Sequence, residues 1–137
     1  MGSLVAEIAE RVASSSAGAR SELEIRGGAA LPGTLLLSTA ETSVVDGNKL
    51  GQIDFQAPVD AAGTDAILVA ASIYAEADNT FSSSVNATEL VFATGASETA
   101  AEKVRIASDG KVGIGTSAPA SLLDVQGTVQ VGVDDTG

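Results

Sequence analysis

The sequence predicts an all-β chain of short strands, and three features carry that expectation. Turn signals recur at short intervals, at Gly27-Gly28, Pro32-Gly33, Asp46-Gly47-Asn48, Pro58, Asp109-Gly110 and Gly127. Between them, β-branched and other apolar residues alternate with polar ones at the two-residue period of a strand. A single stretch, at the N-terminus, has helical spacing. A length of 137 residues is that of one domain.

Residues 4–13 are the helix candidate. Leu4, Ile8 and Val12 recur at i, i+4 and i+8, while Glu7, Glu10 and Arg11 fall on the other flank. Ser3 stands where a cap belongs. About ten residues make a marginal helix in water. The Leu4/Ile8/Val12 stripe therefore needs a partner, either its own subunit or copies of itself meeting on an axis. Ser14-Ser15-Ser16 then breaks the pattern. Residues 1–20 are read as a helix and linker for attachment or trimerisation, and residues 21–137 as a β-rich domain.

Residues 21–26 (SELEIR) alternate and read as a short strand, and 34–38 (TLLLS) as a second. The Asp46-Gly47-Asn48 turn is expected to join a strand at 43–45 to one at 49–56, in which Ile53 and Phe55 share a face with Gly51. Pro58 ends it. Residues 60–65 form a polar loop. The longest expected strand is 66–76 (AILVAASIYAE), with Ile67, Val69, Ala71, Ile73 and Ala75 on one face and Leu68, Ala70, Ser72 and Tyr74 on the other. Both faces are largely apolar, so it is expected to be covered on both sides. Its length suits a helix as well, but its β-branched residues favour a strand. The Ser-rich stretch 77–86 reads as an outward loop. Strands are expected at 88–94, with Leu90 and Phe92 together, and at 122–125 and 128–133, with Gly127 between the last two.

Residues 103–125 (KVRIASDGKVGIGTSAPASLLDV) are the most informative stretch. With Ser108, Asp109 and Gly110 as a three-residue loop and Gly110 left-handed, Ile106 lies opposite Val112 and Val104 opposite Ile114. All four side chains then share one face. The other face pairs Arg105 with Gly113 and Lys103 with Gly115, leaving bare backbone over which a basic stem or another chain can lie. Thr116-Ser117-Ala118-Pro119 makes a turn.

This stretch resembles the R-I-x-x-x-G-x-V-G-I-G-T-x-x-P-x-x-x-L-x-V-x-G segment of phage tail fibres and other virion spike proteins. The matching residues are Arg105, Ile106, Gly110, Val112, Gly113, Ile114, Gly115, Thr116, Pro119, Leu123, Val125 and Gly127, within roughly one fifth of the chain. A looser likeness extends to Gly51-Gln52-Ile53-Asp54-Phe55 and Glu89-Leu90-Val91-Phe92-Ala93-Thr94. The resemblance implies an intertwined homotrimeric β-fibre, β-prism-like or β-helix-like, located in a virion tail fibre or spike. It implies a structural role in the shaft that supports host adsorption, with other virion proteins as partners. In that family a self-cleaving chaperone domain often follows the segment. It would lie beyond Gly137, so its catalytic residues have no counterparts here. A host-glycan or receptor-binding module, a capsid-decorating fibre and a glycan-degrading spike are the alternatives in the same setting.

Composition agrees with a shared interior. Hydrophobic residues make up 45% of the chain, too many for a disordered polymer, yet aromatics are 3% and Trp is absent. Short Ala and Val side chains give a small subunit a thin core, so burial between subunits is expected. A small monomeric β domain is the plainer alternative. The net charge of −11 repels nucleic acid and anionic membranes. No apolar run is long enough to insert in a bilayer. No cysteine is available for a disulfide.

Enzyme chemistry has little to work with, and no catalytic, cofactor or metal residues are expected. Without His or Cys the commonest general base, the thiol nucleophile and most zinc sites are missing. Ser108 and Lys111 flank a hairpin tip and read as solvated turn residues. A glycosidase needs two carboxylates about 5 to 9.5 Å apart; Asp54, Glu76 and Glu89 stand on expected strands. Among 18 acids such pairs arise by chance, and few rings are present to stack a sugar. Asp60 with Asp65, and Asp134 with Asp135, have the oxygen chemistry calcium prefers but no twelve-residue calcium loop. Asn86-Ala87-Thr88 fits a glycosylation sequon.

Overall fold

The computed structural model describes residue 25 and residues 27–132. The expected helix with Leu4, Ile8 and Val12, the expected strand at 21–26 apart from Ile25, and the Asp134-Asp135 pair lie outside the described residues. The chain falls into two compact units, Met1–Leu36 and Leu37–Gly137. In the first, a turn at Ala29-Ala30 is closed by the Leu31 N–H donating to the Gly28 carbonyl at 3.2 Å.

The second unit is organised by one six-stranded sheet whose spatial order follows the sequence: β1 (Lys49–Gln56), β2 (Val69–Ala77), β3 (Thr88–Thr94), β4 (Ala101–Ile106), β5 (Val112–Ile114) and β6 (Leu123–Val125). The first five strands form an antiparallel meander, and β6 runs parallel to β5. The helical content among the described residues is a single 3-10 turn, Thr64–Ile67. The chain is all-β in this region.

The β4–β5 hairpin has the expected register, with Ile106 opposite Val112, Arg105 opposite Gly113 and Val104 opposite Ile114. Its tip is closed by Gly110 N–H to Ala107 carbonyl at 2.9 Å and Ala107 N–H to Lys111 carbonyl at 2.8 Å. Gly110 takes φ 85°, the left-handed conformation the loop requires. The bare backbone at Gly113 is covered by the chain itself. A Cβ there would collide with the Thr116 carbonyl, because the connection between β5 and β6 crosses at that point. The neighbour is thus Thr116, in place of the expected basic stem or second chain.

Four expected strands are altered. The turn after Val45 forms, with Asn48 N–H donating to the Val45 carbonyl at 3.0 Å, but 43–45 is not a strand. The Val45 N–H donates to the Asn48 side chain at 2.9 Å, which diverts it from a ladder. The nine-residue β2 pairs with β1 instead, and the pairing continues into the turn through Gly47 N–H to Ala77 carbonyl at 2.8 Å. The long strand begins at Val69 and not at Ala66. Local bonds from Ala66 to Gly63 and from Leu68 to Asp65 use the backbone groups a strand needs. Residues 34–38 and 128–132 carry no strand; Leu37 comes up against Gly51 of the edge strand β1 but joins no ladder.

The surroundings of Gly110 are open, so a substitution there meets backbone strain alone. Gly110→Ala is expected to cost about 1–2 kcal/mol and Gly110→Asn less, since Asn tolerates the left-handed region better. Urea unfolding of the three proteins checks this. Equal midpoints would mean that the loop does not hold Gly110 left-handed in solution.

Candidate functional site

Residues directly opposite each other on paired strands point to the same side, so the register sorts the sheet into two faces. One row of the front runs across all six strands: Ile53, Ile73, Phe92, Val104, Ile114 and Val125. A second runs Gly51, Ala75, Leu90, Ile106, Val112 and Leu123. On the other side of the first row, Phe55 opposite Ala71 adds a further front pair on β1 and β2. No charged residue interrupts these rows.

The back is the polar face. Gln52, Tyr74, Val91, Arg105, Gly113 and Asp124 form its central row, flanked by Glu76 opposite Glu89 and by Ser72, Ala93 and Glu102. Strand β3 shows which face the chain closes. Its back-facing Glu89, Val91 and Ala93 are 5%, 0% and 2% exposed, whereas its front-facing Leu90 and Phe92 are 39% and 37% exposed. Ile53, Phe55, Ile106, Ile114 and Leu123 share that front exposure. The single chain buries a glutamate and leaves its larger apolar side chains uncovered. The expectation that β2 is covered on both sides is corrected accordingly. Its back residue Ser72 is buried, but the apolar face to which Ala71, Ile73 and Ala75 belong stays open at Ile53 and Phe92 on either side.

Arg105 closes the back. Its Nε donates to Glu102 Oε1 at 2.8 Å and its Nη2 to Glu102 Oε2 at 2.7 Å, a two-pronged pairing that fixes the guanidinium plane. The same group pairs with Glu89 and lies 3.9 Å from Glu76. Cross-strand Glu76 and Glu89 would repel if left alone. Val91 lies beneath, between Tyr74 and Arg105. At the β1 end the Lys49 ammonium sits over the Tyr74 ring, 3.9 Å from its centre. Burial, then Glu76 and Glu102, push the Tyr74 hydroxyl above its ordinary value, with Arg105 opposing. Burial and then Glu76 hold the Glu102 carboxyl above its ordinary value despite the bonds it accepts. Among the described residues, every buried side-chain polar atom has a partner.

The other candidates are dispersed or already partnered. Glu76 and Glu89 converge on Arg105, while Asp54 accepts from Gln52 Nε2 at 2.6 Å. Ser108 Oγ donates to Asp78, and Lys111 Nζ pairs with Asp109 at 2.8 Å, so the two do not face one another. Asp60 accepts from the Ala62 N–H at 2.8 Å, within its own loop. Asp65 stands in the first turn of the 3-10 segment. Thr88 Oγ1 donates to the Asn86 carbonyl at 2.9 Å. Thr116 Oγ1 accepts from the Ala118 N–H at 3.2 Å and shapes the turn before Pro119. Gly115 takes φ 75° and its N–H donates to the Lys103 carbonyl at 2.9 Å. No group of acids among the described residues is arranged to hold a metal ion.

Glu102 is the residue that strand alternation misses. In a regular strand it would share a face with Val104. A register shift between Phe92 and Ala93 inserts one extra residue in β4 and turns Glu102 to the back, beside Arg105. No protein-family model matches the chain, and no curated protein matches it.

Arg105→Leu removes the shared cation from three partly buried carboxylates and is expected to cost about 3–5 kcal/mol, read by urea unfolding. Acidification should then have an unusual sign. A carboxyl whose folded pKa lies above its unfolded one binds a proton more readily when folded, so stability rises as pH falls through the folded value. Glu102 therefore favours an increase in Tm from about pH 7 toward its ordinary value of 4.5. Below that, Glu98 and Asp109 oppose it. Backbone bonds from Ser97 and Ala96 hold Glu98 down, and hydrogen bonds from Lys111 hold Asp109 down. Glu102→Gln should flatten the rise above pH 4.5; an identical rise would show that Glu102 is not its source.

Proposed function

We propose that this chain is a structural segment of a trimeric virion fibre or spike shaft that supports host adsorption. The observation that carries the reading is the front face. Six strands present a continuous apolar surface that the chain leaves largely open, apart from Leu37 against Gly51 at the β1 end, while it closes the opposite face with charge. Contiguous apolar surface of this kind marks an interaction site. Three copies turning their fronts toward a common axis bury Ile53, Phe92, Ile106 and Ile114 against one another. Side chains of this size are each worth about 1.5–3 kcal/mol when fully buried. The acidic backs then face outward, where a charge of −11 per chain keeps the assembly soluble. The three-fold count rests on the resemblance of residues 105–127 to fibre shafts.

Light scattering on the purified chain tests the assembly. The expected mass is three times 13.5 kDa. Twice that value would replace the shaft with a face-to-face sandwich of two sheets. A mass of 13.5 kDa at micromolar concentration would remove the reading. Ile114→Asp places an unpaired charge in the front row on β5, at a cost of several kcal/mol per copy on burial. It is expected to yield a folded monomer, since the back-face network of the single chain is untouched. A normal trimer from this variant would mean that the front is not the inner face.

A further inference from the structure

An open six-stranded sheet has two edges, and here they are β1 and β6. Among the described residues no strand pairs with the outer side of β1; Leu37 of the same chain lies against Gly51 near its start, and residues 52–56 are exposed. Such an edge is a row of unused backbone donors and acceptors. Residues 128–132 (TVQVG) have strand alternation and no strand partner. Val129 and Val131 point to one side by alternation and are 61% and 79% exposed. The unpaired edge and the unpaired strand-like segment are complementary in kind.

They cannot meet within one chain. The Gln126 N–H is bonded to the Ile114 carbonyl at 2.9 Å, which anchors the segment's start at the β6 side. Five inter-strand gaps of about 4.8 Å put the β1 edge about 24 Å away. From Gln126, full extension at about 3.5 Å per residue carries Val131 no farther than about 17 Å. The edge that the segment can reach belongs to another copy.

We propose that residues 128–132 of one chain add as a strand to the free edge of β1 in a second copy. Val129 and Val131 then continue the apolar front beyond Ile53 and Phe55, and Gln130 joins Asp54 on the back. Each copy gives one segment and accepts one. Such head-to-tail contacts close into a ring when the rotation between copies allows. This rests on the trimeric reading above, and specifies which segment links neighbouring chains.

The test uses the absence of native cysteine. Asp54→Cys and Gln130→Cys are made in separate populations of the full chain, both at exposed positions. The two are mixed in urea, refolded together and treated with a thiol cross-linker of about 8 Å reach, which spans direct and diagonal neighbours across a strand pair. The expected product is a covalent dimer containing one copy of each variant, several-fold more abundant than cross-linked pairs in either population alone. Val129→Asp/Val131→Asp is expected to lose the trimer while keeping its far-ultraviolet β signature. A trimeric mass with no mixed cross-link, or a trimer that survives the double substitution, overturns the strand exchange and leaves the shaft reading standing. A monomeric mass for the unsubstituted chain overturns both.

Discussion

A sheet has two faces, and the one this chain closes by itself is the charged one. The parity of β3 is the constraint on which the rest depends. Glu89, Val91 and Ala93 go under Arg105 and its neighbours, so Leu90 and Phe92 must point the other way. Shifting the pairing of β3 by one residue would exchange its two sets of side chains between the faces. It would also set Glu89 on the apolar front without its guanidinium. The ion-pair cluster thus acts first as a register lock. Buried ion pairs add little net stability against apolar substitutes, but losing one partner is costly, which penalises the wrong register more than it rewards the right one.

Much of the sheet was legible because it is local. The hairpin around Asp109-Gly110 followed from a dipeptide and two alternating flanks, and its register came out residue for residue. Thr88–Thr94 was readable as a strand for the same reason. What sequence could not show was choice between partners. The segment at 43–45 has a good turn beside it, yet β1 pairs with β2 through a far longer ladder. Nor could it show the extra residue in β4, since alternation assigns Glu102 and Val104 to one face. Glu76 and Glu89 are visible in the sequence as candidates, but the third acid, Glu102, reaches Arg105 only through that bulge. The stretches 34–38 and 128–133 have strand composition and alternation, and composition says nothing about where a neighbour comes from.

The back-face cluster also bears on the enzymatic alternative. Two facing carboxylates at Glu76 and Glu89 have the outward look of an acid pair. A working pair needs one member kept protonated and the other charged, with room for a sugar between them. Here a guanidinium fills the space between them as their shared counter-charge. Val91 beside it is closed to solvent. The geometry accounts for these acids as cross-strand neighbours that need a shared counter-charge.

Small side chains then have a part on both faces. On the back, Gly113 lets the β5–β6 connection cross close to the sheet, and Ala93 and Ser72 leave room for the ion-pair stems. On the front, a Cβ at Gly51 would collide with Leu37 of the same chain, so that glycine also marks a place where the chain comes up against its own sheet. The glycines of the two faces therefore do one job, making room for a connecting segment, Thr116 over Gly113 and Leu37 over Gly51. Around Gly51 the front keeps its larger side chains, Ile53, Phe55 and Ile73 among the alanines of β2, so its apolar character does not depend on which end of the sheet is considered.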